Sequence, residues 1–209
     1  MPVDTRDRQK HECYGAEWAV NWEQFGANDN LGELEDVWQY CYKLMRRQSF
    51  AKRYPATYRL HGKYKMKPER MNPYFEQVYV VGIIQSDQEG NPYRNMESGL
   101  IVRPTARGGF ARDGKEIALS RWGRQKWVVI HELAHIIDHL ENGRTGAIWH
   151  MDHGWQFCAI YLQLVGMAFG YEAKKALREE FKKRGVKYTK PQSMRSARHK
   201  RELSIQWVL

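Results

Sequence analysis

Apolar residues in the first fifty positions recur at intervals of three and four, the spacing that gives a helix one buried face. This pattern predicts two helices, separated by a polar break at residues 28–32. The positions that carry the pattern are Tyr14, Trp18, Trp22, Leu34, Val37, Tyr40, Cys41 and Leu44. Residues 51–76 mix prolines with tyrosines and basic residues, so we expect a loop there, with at most a short strand at residues 57–60.

The middle of the chain has the pattern of a small, mainly antiparallel sheet. Residues 78–84, 100–103 and 116–120 are the strand candidates. We expect the last two to pair, joined by a glycine-containing loop. Polar and apolar residues alternate through residues 115–119, which is typical of a sheet with one face in water.

From residue 124 onward the apolar spacing becomes helical again. One helix is predicted over residues 124–140, a second from about residues 152–154, and a third over residues 172–184 that stops at Gly185. Residues 186–209 are basic and poor in apolar residues until position 205, so we expect a C-terminal tail. These elements predict a single α+β domain over residues 1–185.

Composition narrows the class of protein. The chain has 209 residues, of which 42% are hydrophobic, enough to form a core. It contains no apolar run long enough to cross a bilayer and begins without the hydrophobic stretch of a signal peptide, so we expect a cytoplasmic protein that does not act at a membrane. The cysteines are too few and too far apart for a disulfide framework or a Cys-only zinc site. They are Cys13, Cys41 and Cys158.

The net charge of +10 is distributed unevenly. Residues 51–130 and 171–209 are strongly basic, whereas residues 131–170 are acidic and rich in histidine. Tyrosines are interspersed with the basic residues of 51–70, and residues 182–201 contain basic residues but no acid. Such segments can neutralise phosphates and stack on bases, so DNA or another polyanion is a candidate partner; a solubilising surface is an equally good interpretation.

The sharpest motif is His131-Glu132-Leu133-Ala134-His135, within the predicted helix at 124–140. Histidines four residues apart lie on one helical face, so both imidazoles can bind one ion. Glu132 lies about 100° further round the helix and can act as the general base that takes a proton from water. The motif therefore predicts a catalytic metal site, with zinc as the expected ion.

A catalytic zinc needs a third protein ligand and keeps one position for water. The candidates downstream are His139, Glu141, His150, Asp152 and His153. His139 lies a further turn along the same helix, too far to close a tetrahedral site. His153 precedes Gly154 at the start of a predicted helix, where a glycine lets the backbone pass close to an ion.

The element His153-Gly154-Trp155-Gln156-Phe157, downstream of the His-Glu-Leu-Ala-His motif, resembles the SprT-like zinc metallopeptidases. The chain resembles more closely the small metallohydrolases of actinobacteria and their phages. The likeness is best over residues 115–186, the expected metal-site core, and extends to residues 6–17 in the N-terminal helices.

This resemblance implies a zincin-like fold and hydrolysis of protein or peptide substrates, with His131, His135 and His153 as metal ligands and Glu132 as the base. His150, three residues before His153, remains a competing ligand. Asp152 either orients a ligand or caps the following helix. The alternative hypothesis is a nucleic-acid-binding or virion-associated protein whose zinc is structural or vestigial. A closed site that uses both His150 and His153 would favour it.

Overall fold

The computed structural model describes residues 5–54, 57, 67–69, 78–80, 100–106, 108–112, 116–142 and 153–189. Within these ranges the chain is a mixed α+β structure, as predicted from the sequence. Six α-helices are described: α1 (Thr5–Ala19), α2 (Leu34–Met45), α3 (Gln48–Arg53), α4 (Lys126–Asn142), α5 (Trp155–Phe169) and α6 (Tyr171–Lys183). Short 3-10 helices lie at Glu23–Phe25 and Trp122–Arg124. None of the described helices is long and apolar enough to cross a membrane.

Local signals set several helix ends. Glu33 and Asp36 form a reciprocal capping box at the start of α2, with the Glu33 backbone N–H donating to Asp36 Oδ2 at 3.3 Å. At the end of α6, Gly185 has a φ of 68°, which side-chain-bearing residues rarely adopt. The next backbone N–H, that of Val186, then donates to Phe181 O at 2.9 Å. The predicted stop at Gly185 is therefore confirmed.

The described strands form one mixed sheet in the order β1-β2-β3-β5-β4. The strands are β1 (Lys67–Glu69), β2 (Val78–Val80), β3 (Ile101–Pro104), β4 (Gly109–Arg112) and β5 (Glu116–Leu119). Strands β3 and β5 pair in parallel, and the other three pairings are antiparallel. The expected pairing of residues 100–103 with 116–120 is thus present, but β5 inserts between β3 and β4, and the glycine-containing connection is itself partly strand.

One face of β5 was expected to be wet, and this is wrong: Ile117, Ala118 and Leu119 are all buried. The reason lies in the neighbours of Ala118. Arg103 on β3 and Phe110 on β4 are its partners in register, and the Arg103 guanidinium lies 5.8 Å from the centre of the Phe110 ring. An arginine that reaches across to a phenylalanine covers the small alanine between them.

Other expectations failed in detail. The region expected to be loop from residue 51 contains the end of α3 and strand β1, and Thr57 is helical, while residues 58–60 lie outside the described residues.

The first residues of the expected tail, from residue 186, are attached to the domain. Val186 is buried, and Gln9 on α1 bonds both backbone groups of Lys187, at 3.0 Å to its oxygen and 3.2 Å from its nitrogen. The remaining tail, from residue 190, is outside the described residues.

The core brings distant parts of the chain together around α4. This helix packs against α5, α2 and strands β4 and β5, while α1 packs against α6. As a result α4 is buried on most of its circumference, including Val129, Ile130, Leu133 and Ile137. A polar side chain on this helix therefore lies inside the protein, where it requires a partner.

Candidate metal centre

Helix α4 carries the histidine pair in the interior of the fold. His131 is 4% exposed and Glu132 is 6% exposed, which is unusual for ionisable side chains. His135, one turn further on, is partly buried and stacks on Phe157 of α5, with ring centres 4.1 Å apart. The packing of α4 against α5 thus orients the second histidine of the motif.

His153 joins this pair from the turn that precedes α5. Its Nε2 lies 3.2 Å from His131 Nε2, and the Nε2 of His135 lies 3.2 Å from the same atom. One nitrogen from each of the three side chains lies within 4.8 Å of the other two. An ion held tetrahedrally at about 2.0–2.1 Å from each nitrogen would separate them by about 3.3–3.4 Å. The two 3.2 Å distances are close to this value, and all three nitrogens can therefore bind a single ion.

A carboxylate from α1 orients His131 from behind. Glu17, which is 1% exposed, lies 3.0 Å from His131 Nδ1. This contact favours the tautomer that carries its proton on Nδ1 and leaves Nε2 available to bind an ion. The Trp22 indole donates to the Glu17 backbone oxygen at 2.8 Å, and the Cys13 thiol donates to the Glu17 carboxylate at 3.3 Å. The carboxylate is therefore itself held in place.

The electrostatics of the histidines follow from these contacts. Burial disfavours the charged form of His131, but the carboxylates of Glu17 and, to a smaller extent, Glu132 together outweigh it and raise the pKa of His131. Burial, followed by the charges of His131 and Lys10, lowers the pKa of His153 well below its usual range. His153 is thus held as a neutral imidazole, the form that binds metals.

Glu132 lies beside the histidines with a perturbed carboxyl group. Burial is the main reason why the pKa of this carboxyl group is raised to about 7. The charge of His131 partly offsets the increase, and the charge of Glu17 adds to it. Strand β4 approaches this carboxyl group closely, because a Cβ added to Gly109 would lie 3.0 Å from Glu132 Oε1. A carboxyl group that titrates near neutral pH can both accept and return a proton in the physiological range.

The structure brings together His131, His135 and His153, as predicted, and places Glu132 beside them. His139 is not part of this cluster. The competing ligand His150 and the capping or orienting candidate Asp152 lie outside the described residues, and so do most of the basic segments at 51–70 and 182–201.

The sequence interpretation assigned no role to Glu17, although it lies in the matched stretch at residues 6–17. A usable signal was present, because Glu17 falls among the buried positions Cys13 and Ala16 of α1 and Val20 just after it. An acidic residue on the apolar face of a helix requires a buried partner.

A chain of aromatic rings surrounds the three histidines. Tyr14 on α1 lies 5.5 Å from the His131 ring and 4.7 Å from the His153 ring, measured between ring centres. Phe157 and Tyr161 of α5 pack against His131 at 5.0 and 5.4 Å. These rings hold the imidazoles at fixed angles and give the site the apolar surroundings that strengthen electrostatic interactions.

Comparison with known proteins found no matching family model, curated protein or solved structure.

Proposed function

We propose that this protein is a zinc-dependent hydrolase that cleaves peptide bonds. We also propose that it has the zincin-like fold of the SprT-like metallopeptidases, which its sequence resembles. The observation that carries the proposal is the convergence of three histidine nitrogens, two of them 3.2 Å from the Nε2 of His131 and all within 4.8 Å of one another, with the Glu132 carboxyl group close to His131. Three imidazoles form a donor set that suits zinc. When bound, the ion supplies Lewis-acid activation of water and of the scissile carbonyl.

The residues of this chain have distinct parts in the proposed reaction. His131, His135 and His153 hold the ion, and Glu17 keeps His131 in the binding tautomer. Glu132 accepts a proton from the attacking water and passes it to the leaving amine. The surrounding aromatic rings limit access of bulk water to the histidines.

Strand β4 supports a peptide as the substrate. It is the last strand of the described sheet on that side, and its first residue, Gly109, lies against Glu132. An edge strand offers backbone donors and acceptors to which an extended peptide can add as a further strand. Such a peptide would run past the carboxyl group that handles the proton.

The test separates metal binding from chemistry. Glu132→Gln is expected to keep about one zinc per chain and to reduce peptide hydrolysis by about 10²–10⁴-fold, because it removes only the general base. His135→Ala is expected to lose the zinc. His11→Ala, a change at an exposed histidine of α1, is the matched control and should alter neither quantity. Elemental analysis and a peptide-cleavage assay on the same preparations measure both.

Two results would contradict the proposal. A purified protein that binds no transition metal excludes the hydrolase mechanism. A zinc bound by four protein ligands, observed by X-ray absorption and reduced to three by His150→Ala, would support a structural zinc in a nucleic-acid-binding or virion-associated protein.

A further inference from the structure

Two tryptophans are exposed on the surface beside the candidate site. Trp18 on α1 is 63% exposed and Trp122, in the 3-10 turn before α4, is 48% exposed. Their rings are stacked, with centres 5.7 Å apart and planes at 15°. Large apolar side chains on a surface mark binding sites when they form a defined patch. We name this pair the tryptophan platform.

The platform is rigidly supported from below. The buried Trp127 packs edge-on against both platform rings, at 5.5 Å from Trp18 and 6.3 Å from Trp122. Trp22, also buried, stacks on Trp127 at 5.9 Å. The Trp127 indole donates to Gln125 Oε1 at 2.9 Å, and the Trp22 indole donates to the Glu17 backbone oxygen. The two buried rings are thus fixed, and the exposed pair is preorganised.

The platform lies one helical turn from the candidate site. Trp18 follows Tyr14 by four residues on α1, and Trp127 precedes His131 by four residues on α4. Tyr14 packs against His131, and Trp18 packs against Trp127. The platform and the histidine site are therefore separated along the helices by about one turn, or 5.4 Å. An extended chain rises about 3.3 Å per residue, so this separation corresponds to about two residues of a bound peptide.

The start of strand β4 lies close to both Glu132 and the segment that carries Trp122. Its first residue, Gly109, pairs with Leu119 and lies against Glu132. The preceding Gly108 backbone oxygen accepts a hydrogen bond from the Ser120 N–H at 2.8 Å and lies 2.8 Å from the position of a Cβ at Gly123. Trp122 therefore lies at the end of β4 that is nearest to Glu132. A peptide bound at Glu132 would therefore have the platform within reach of its neighbouring residues.

We infer that the tryptophan platform is a substrate subsite that binds an aromatic side chain of the peptide about two residues from the scissile bond. This inference rests on the proposed peptidase function. Stacked indoles favour a flat ring over an aliphatic or charged side chain, and aromatic pairs gain energy beyond the apolar area that they bury. The subsite would select substrates without touching the reacting atoms.

A matched peptide series tests the subsite. The parent peptide has Ala at the second residue on each side of the cleaved bond. In each of the other peptides, Trp or Phe replaces one of these two alanines. One of these aromatic peptides is expected to be cleaved with roughly tenfold higher kcat/KM than the Ala peptide. Trp18→Ala and Trp122→Ala should each abolish this preference while leaving cleavage of the Ala peptide within about twofold of the parent protein. Tyr171→Ala, a change at an exposed aromatic residue of α6, is the control and should preserve the preference.

The outcomes separate this inference from the proposed function. Cleavage without an aromatic preference, or with a preference that survives both tryptophan substitutions, overturns the subsite and leaves the peptidase intact. If no peptide is cleaved, the proposed function fails, and calorimetry of the aromatic and Ala peptides with the full-length protein then tests the subsite. Tighter binding of the aromatic peptide that depends on Trp18 supports the subsite. Equal binding of the two peptides overturns it. Binding of oligo-dT through Trp18 and Trp122, with no binding of the aromatic peptide, would assign the platform to nucleic acid instead and also overturn the inference.

Discussion

At the scale of single residues, the buried pair of Glu17 and His131 is the decisive contact. The two side chains are 114 positions apart in the sequence and 3.0 Å apart in the fold. A carboxylate behind a metal-binding imidazole fixes the ring and increases its basicity, and such partners change metal affinity substantially. Glu17 is a positioning residue by this argument, because it acts through His131 and not on substrate.

Glu17→Gln is expected to weaken zinc binding by about 10–100-fold, since the amide keeps the size of the side chain but removes its charge. Competition with a chromophoric chelator measures the affinity. Glu23→Gln, at an exposed glutamate shortly after α1, is the control and should leave the affinity unchanged. Equal zinc affinity in Glu17→Gln and the parent protein would show that the contact has no part in holding the ion.

At the scale of elements, the site is built where β4 meets α4. The absence of a side chain at Gly109 is what allows the strand to approach the Glu132 carboxyl group. A Cβ at this position would also lie 3.0 Å from Leu119 Cδ2, so the added atom is confined on two sides. Strand and helix are therefore fitted to each other at the residue that is proposed to move the proton.

Gly109→Ala is expected to displace the Glu132 carboxyl group and lower kcat by at least tenfold, with zinc content unchanged because no histidine is touched. Gly166→Ala on α5 is the matched control, since the three atoms nearest to its added Cβ all belong to the flexible Lys174 side chain. The comparison requires kcat and elemental analysis for both variants. Full activity in Gly109→Ala would mean that the carboxyl group tolerates the shift.

Sequence patterns and the structure agree best where the physics is local. The predicted helix at 124–140 corresponds to α4, and the spacing of His131 and His135 alone predicted that both face one point. The order of the strands could not be predicted, because the insertion of β5 between β3 and β4 depends on tertiary packing. Glu17 illustrates the same limit, since no local rule connects a helix near the N-terminus with a histidine in the second half of the chain.

At the scale of the whole molecule, burial of the Glu132 carboxyl group has a cost in stability for the metal-free protein. Its pKa is raised from 4.5 to about 7 in the folded state, so folding favours the protonated form. Below pH 4.5 both the folded and unfolded states are protonated, and the group has no effect. Between pH 4.5 and 7 the unfolded state has already lost this proton while the folded state keeps it, so the free energy of unfolding falls, and above pH 7 the loss levels off at about 3 kcal/mol.

Glu132→Gln removes this penalty, because the amide does not ionise. In the presence of a chelator, the variant and the parent protein are expected to have similar free energies of unfolding at pH 4.5. The variant should be more stable by about 3 kcal/mol at pH 8. Urea unfolding at the two pH values measures the difference. A constant gap between the two proteins at both pH values would contradict the raised pKa.

The packing of α1 against α6 also determines when the site can exist during synthesis. Helix α1 is made first and carries Glu17, yet it packs against the last helix described, and Gln9 bonds the backbone of Lys187. A nascent chain that has just completed α5 holds all three histidines but lacks α6, one of the elements against which α1 packs. Since domains fold as units, the oriented His131 appears only when the whole domain has left the ribosome. The proposed metal site is therefore expected to reach its full zinc affinity only after α6 has been synthesised.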